Sequence, residues 1–185
     1  MPSSGTPPES PRAAEIVASL GMQPHPERGY YVETYRAAAT VTAPADARRA
    51  QPASRAAATA IYFLVTRAQP TTYLHRLLSD EIFHLYEGGP LDVLRLREEA
   101  GGRRDGQVVR LGLGLAAGER PQVVIPAGTW FAAELAAGAS HCLIGCTVAP
   151  GFDFADFELA AGPELAQRFP AHAERIARMT RPGPR

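Results

Sequence analysis

The sequence predicts an all-β fold, and three observations carry that prediction. From residue 57 onward the chain breaks into short β-prone runs: AATAIYFLVT, TTYLHRLL, EIFHLYE, LDVLRLRE, QVVRLGL, QVVIP, TWFAAEL and SHCLIGCTVAP. Gly, Pro and Asp-Gly punctuate them, as in EGGP, GGRRDG, AAGERP and PAGT. Strands recurring about every ten residues with turn signals between them build an antiparallel sandwich or barrel, not βαβ units. Helical spacing is confined to the two ends, so short helices should flank the β core.

In chain order, residues 1–11 are Pro/Ser-rich and predict a disordered tail. RAAEIVASLG (12–21) places Ile16, Val17 and Leu20 at helical spacing and stops at Gly21, a C-cap signal. YYVETYRA is β-rich. The following AAATVTAPADARRAQPASRA (37–56) is Ala/Pro/Arg-rich without a period and reads as a surface loop. After the strands, GPELAQRFPAHAERIARMTR is helical, divided at Pro170. At 185 residues the chain holds one well-cored domain, expected over 12–180, and is too short for two ordinary ones.

Nineteen basic and nineteen acidic side chains cancel, so no net field draws the chain to nucleic acid or anionic lipid. No apolar run approaches the roughly 20 residues that span a bilayer, and MPSSGTPPESPR lacks the basic-then-apolar order of a signal peptide. Cys142 and Cys146 lie four apart in one apolar run. On a strand they share a face but are too distant to bridge, which suits buried thiols in a reducing compartment. The expectation is a cytoplasmic protein without nucleic-acid or membrane partners.

The segments HPERGYYVETYR (25–36), AIYFLVT (60–66), HRLLSDEIFHLYEGGPL (75–91), VVIPAGTWFAAEL (123–135) and GCTVAPGFDFADFEL (145–159) resemble, in order, the cupin superfamily, and more narrowly its DUF985 or Cupin_5 branch. The resemblance covers roughly residues 13–178 and implies a cupin-type jelly-roll β-barrel. One departure is visible: the branch has His-Pro-Glu-Gly-Gly in the first segment, and Arg28 replaces the first glycine here. If that glycine uses positive φ, the turn must differ locally.

Metal-binding cupins take two His and a Glu from their first motif and a third His from the second. Here His75 and Glu81 hold two of those positions, while Leu77 and Phe131 stand at the others. His141 is the remaining candidate ligand. Strand alternation puts Glu81, Phe83 and Leu85 on one face and Ile82, His84 and Tyr86 on the other. His84 therefore reads as an outer-face histidine, packing with Tyr86 at a subunit contact. No cofactor is favoured; the alternative is a divalent transition metal on His75, Glu81 and His141.

Without a metal, a carboxyl facing Leu77, Phe83 and Phe131 is desolvated and its pKa rises toward neutrality. A Glu81/His75 pair in such a pocket is equipment for moving a proton at a carbon next to a carbonyl. Metal-free cupins include sugar-nucleotide epimerases and isomerases, so the resemblance implies an enzyme of that kind acting on a sugar-like or nucleotide-linked small molecule. The alternatives are a metal-dependent oxygenase or lyase and a non-catalytic metabolite-binding cupin. Tyr31, Glu33 and Arg36 would orient the substrate, although alternation sets Tyr31 and Glu33 on one face and Arg36 on the other. Trp130 is a core aromatic or a stacking platform, and Asp153 and Asp156 cap the barrel mouth or serve as turn residues. Open strand edges predict a homodimer, as is common in cupins.

Overall fold

The computed structural model describes residues 9–45, 51–98, 101–102 and 104–181. Residues 1–8, most of the expected disordered tail, lie outside that set. Its last residues belong to the fold instead: Ser10 caps helix α1 (Pro11–Leu20) by accepting the Ala13 amide at 3.2 Å, with Pro11 at the first helical position. The helix ends as expected at Gly21, whose φ of 61° closes the last turn.

The strands that follow are β1 (Gln23–Pro24), β2 (Tyr30–Arg36), β3 (Thr40–Ala43), β4 (Ala53–Ala56), β5 (Thr59–Thr66), β6 (His75–Arg76) and β7 (Asp80–Gly88). After them come β8 (Leu91–Glu98), β9 (Arg104–Leu111), β10 (Gln122–Ile125), β11 (Trp130–Leu135), β12 (His141–Ala149) and β13 (Glu158–Leu159). The chain closes with α2 (Gly162–Arg168), a 3₁₀ turn at Pro170 and α3 (Ala173–Arg178). One sheet runs β1-β2-β5-β12-β7-β10 and the other β13-β6-β11-β8-β9. The strand pairings within both sheets are antiparallel, and most join strands that are not consecutive in sequence, which is the jelly-roll arrangement.

Alternation fills the space between the sheets. Phe83, Val93, Phe131, Ala133, Ile144 and Cys146 point inward and pack together. The outward residues of β8 and β11 (Leu94, Leu96, Trp130, Ala132) are covered by Leu165, Phe169 and Ile176 of the C-terminal helices. Helix α1 sets Ala13 and Ile16 on Leu64, on the outer face of the other sheet. Among the described residues no helix is long and apolar enough to cross a membrane.

Two expectations fail here. The expected loop at 37–56 is not plain: residues 46–50 lie outside the described set, and on either side β3 and β4 pair as a two-stranded ribbon, Thr40 opposite Ala56 and Ala43 opposite Ala53. A ribbon outside both main sheets buries little, so its sequence need not alternate apolar and polar residues. The Arg28 substitution leaves the turn in place, because Arg28 itself adopts φ 76° beside Gly29 at 73°. Such a conformation costs a side chain about 1 kcal/mol. Arg28 is held there by a 2.8 Å hydrogen bond to Thr71 Oγ1 and by the Tyr73 ring, 4.2 Å from its guanidinium carbon.

Candidate active site

At one end of the barrel lies a cavity of about 420 Å³. Its floor is built by β5, β6, β7 and β12, which contribute Phe63, His75, Glu81, Cys146 and Val148, together with Leu77 just after β6. The segment after β12 folds over it with Phe152, Phe154 and Phe157. That segment is tied down by the Phe152 amide on Thr59 Oγ1 at 2.9 Å and the Gly151 amide on the Ala56 carbonyl at 2.8 Å. Below it, Arg55 grips Asp156 through two bonds of 2.8 and 3.0 Å, while Asp153 caps a short 3₁₀ turn. The two aspartates are therefore structural at the mouth rather than free.

Glu81 faces inward, as alternation requires, opposite Ile125 on one side and Val148 on the other. It is 7 % exposed, and its Oε2 has no hydrogen-bond partner. Burial pushes the carboxyl up to about 8, against a smaller opposing effect from the Cys146 thiol that bonds to it. At neutral pH Glu81 is a carboxylic acid.

His75 does not lean on Glu81. Its Nε2 lies 3.0 Å from Glu27 Oε2, and its Nδ1 lies 2.8 Å from the Tyr73 carbonyl. A carbonyl only accepts, so Nδ1 carries hydrogen; in a neutral imidazole Nε2 is then a bare lone pair, and the proton in the short contact belongs to Glu27. The electrostatics agree. Burial, partly offset by the Tyr73 carbonyl, draws His75 down to about 3. Burial, reinforced by the charge of Glu81, holds Glu27 well above the usual carboxylate range. The pair is a neutral acid donating to a neutral imidazole, with the proton on Glu27. His25 completes the group: burial lowers it to about 4, Nδ1 accepts the Glu27 amide at 3.4 Å, and its ring meets Tyr31 edge-on at 4.7 Å.

Of the residues expected at the site, His75, Glu81, Leu77, Tyr31, Glu33 and Arg36 line the cavity. Arg36 reaches it against simple alternation because of a bulge. Glu33 pairs with Ile61 and Tyr35 with Ala60, leaving Thr34 as an extra residue that returns Arg36 to the face of Tyr31 and Glu33. Arg36 there binds Glu33 at 2.6 and 3.0 Å and the Phe152 carbonyl at 3.2 Å.

The other expectations are corrected. Phe83 and Phe131 are not lining residues: they pack in the barrel interior beneath it, 6.0 Å apart edge to face, with Phe131 only 4.1 Å from the His75 ring. Trp130, one position from Phe131, points the opposite way; it is buried under the C-terminal helices with Arg76 4.3 Å from its ring and cannot stack on a ligand in the cavity. His141 lies at the far end of β12, seven residues from Val148, the partner of Glu81, which is roughly 20 Å along a strand. It contacts Glu87 at 3.2 Å and Ser140 at 2.9 Å, so it cannot share an ion with His75 and Glu81. Leu77 and Phe131 supply no donor, and both His75 nitrogens are engaged. The residues present do not fit a cupin metal centre, and among the described residues no group of three or more His, Cys, Asp or Glu could hold an ion.

Glu27, His25 and Phe154 were not among the residues singled out from the sequence, and Cys146 was read only as a buried thiol. Cys146 could have been found by counting two-residue steps along β12. Glu27 and His25 lie within the quoted HPERG segment, but their contact with His75 spans the fold and has no local signature.

A two-sheet jelly roll closed around a carboxyl-bearing pocket defines a cupin-type barrel. The chain belongs to the cupin family described as Cupin superfamily (DUF985), whose model matches residues 14–160. It is similar to a hypothetical protein from Leishmania major, with 32% identity over 92% of this chain and 99% of that one, at a TM-score of 0.80. It is also similar to a protein from Shewanella oneidensis, with 32% identity over 92% and 98% of the two chains and a TM-score of 0.75. No curated protein matches the chain.

Proposed function

We propose that this cupin is a metal-independent enzyme of the isomerase or epimerase type, moving a proton at a carbon adjacent to a carbonyl of a small polar metabolite. The observation that carries this reading is Glu81: a buried carboxyl on the cavity wall, with one oxygen unpartnered and its pKa raised to about 8. A carboxylic acid neutral at pH 7 can donate to a carbonyl oxygen as charge develops there. The Glu27–His75 pair supplies the base. As the substrate's C–H proton moves to one oxygen of Glu27, the proton on the other passes to His75 Nε2, so the acid and imidazole take up one proton as a unit and the imidazolium keeps its bond to the Tyr73 carbonyl. Glu81 has then given one proton to the carbonyl oxygen and Glu27 has received one from carbon. Reprotonation at carbon, on the same or the opposite face, restores both groups.

The test is wash-in of solvent deuterium. A compound that binds the cavity is incubated with the protein in D₂O, and its Cα–H signal is followed by NMR. Exchange is expected with the unaltered chain and is lost in Glu81→Gln. Exchange that persists undiminished in Glu81→Gln refutes the assignment of Glu81, and the absence of exchange in every bound compound refutes the enzyme reading.

A further inference from the structure

We infer that the cavity selects an uncharged, hydroxylated ring compound, a free sugar or nucleoside rather than its phosphate. This deepens the function proposed above by naming the class of ligand for the same pocket, but it rests on independent features of the wall. The upper wall is aromatic: Tyr31, Phe152, Phe154 and Phe157 all border the space. Phe154, exposed at 56 %, lies nearly parallel to the His25 ring at 6.4 Å, with Phe152 edge-on to it at 5.0 Å. Such faces bind flat or apolar ring surfaces.

The charges at the mouth point the same way. Arg36 is the one cation among the described lining residues, and Glu33 already clamps it with two bonds while the Phe152 carbonyl takes a third. Asp153 also borders the opening, and behind it Arg55 is consumed by Asp156. Among the described residues that border the mouth, one guanidinium thus stands against two carboxylates, Glu33 and Asp153. A phosphate entering here meets a net negative rim, an arginine that must first leave its glutamate, and apolar walls that do not repay its lost hydration. Inside, Glu81 is an acid that can donate to a carbonyl or hydroxyl oxygen, and an anion would repel it once ionised. A volume of about 420 Å³ suits one or two rings and falls in the ordinary range for small-molecule sites.

Matched pairs test the inference: free hexoses, pentoses and nucleosides, each beside its monophosphate, with binding measured by calorimetry on the full chain. At least one free compound should bind, with its phosphate at least about tenfold weaker. Glu33→Gln, which removes one rim carboxylate and frees Arg36, should narrow that gap several-fold by tightening the phosphate. Phosphates that bind as tightly as their free partners, a gap unmoved in Glu33→Gln, or a panel with no binder overturns the inference. Binding without deuterium exchange leaves this inference standing and removes the enzyme reading; exchange of a preferred phosphate does the reverse.

Discussion

Replacing Glu81 with Gln should make the protein more tolerant of mild alkali while ending the proton chemistry proposed for it. The buried carboxyl holds its proton up to about pH 8, whereas the unfolded chain releases it near 4.5. A group raised on folding contributes stability that is whole below the unfolded pKa and lost as pH climbs toward the folded one. The loss is about 1.4 kcal/mol per pH unit between those limits. Below pH 6.5 it is masked, because His25 and His75, lowered to about 4 and about 3, lend stability that grows with pH until 6.5. From pH 6.5 to 8 the histidines are silent and the carboxyl cost appears alone: roughly 2 kcal/mol for Glu81, with Glu27, shifted the same way, adding its own. At about 2–4 °C per kcal/mol for a chain of this size, Glu81→Gln should remove roughly 4–8 °C of the wild-type fall in Tm across that window. The orphaned amide it introduces shifts every Tm equally and leaves the slope untouched. Thermal melts at half-unit pH steps measure it. Parallel curves for the two proteins would mean that Glu81 is ionised and solvated, and the acid–base reading would go with it.

Arg28→Gly and Arg28→Ala both lose the bond to Thr71, but only glycine accepts φ 76° freely, so the glycine variant should be the more stable of the two by about 1 kcal/mol in urea melts. Trp130→Ala should cost about 3 kcal/mol or more by emptying the layer under α2 and α3, yet leave ligand Kd unchanged, since Trp130 is remote from the cavity; a weakened Kd at full folding would put it back among the binding residues. Zn²⁺ or Ni²⁺ at ten equivalents should leave Tm within about 1 °C, because a bound ion would add RT ln(1 + [L]/Kd) and Leu77 and Phe131 offer it nothing to bind.

What could be read from the residues follows the reach of local physics. Two-residue alternation placed Glu81 inward and His84 and Tyr86 outward, and the glycine and proline punctuation marked the strands of both sheets. It failed where one residue breaks the count. Thr34 is such a residue: nothing in YVETYR announces the bulge that brings Arg36 round to Glu33. Trp130 was left with two readings, core aromatic or stacking platform, for a related reason. Its neighbour Phe131 takes the inward position, but both faces of β11 are buried, so hydrophobicity alone cannot say which residue faces the ligand. The Glu27–His75 contact joins residues far apart in the chain and brought close only by β6 and the turn before β2; no spacing rule sees it. The ribbon at 40–56 escaped because its strands pack on little and carry no core pattern.

The loss of metal-type donors and the raised acidity threshold of Glu81 are two sides of one change. In a barrel that holds a divalent ion, the ion's charge keeps the neighbouring carboxylate ionised despite burial. With Leu77 and Phe131 at two of the superfamily's ligand positions, no such charge is available here, and desolvation decides the protonation state of Glu81. The same desolvation acts on Glu27, but there His75 stands within hydrogen-bond reach and offers its proton a second seat. One carboxyl is thereby fixed as a donor and the other is poised to become an acceptor. Proton transfer at carbon needs both roles filled at one pH, and two glutamates in identical surroundings could not fill them. The difference between their partners, a thiol for Glu81 and an imidazole held by the Tyr73 carbonyl for Glu27, is what separates the roles.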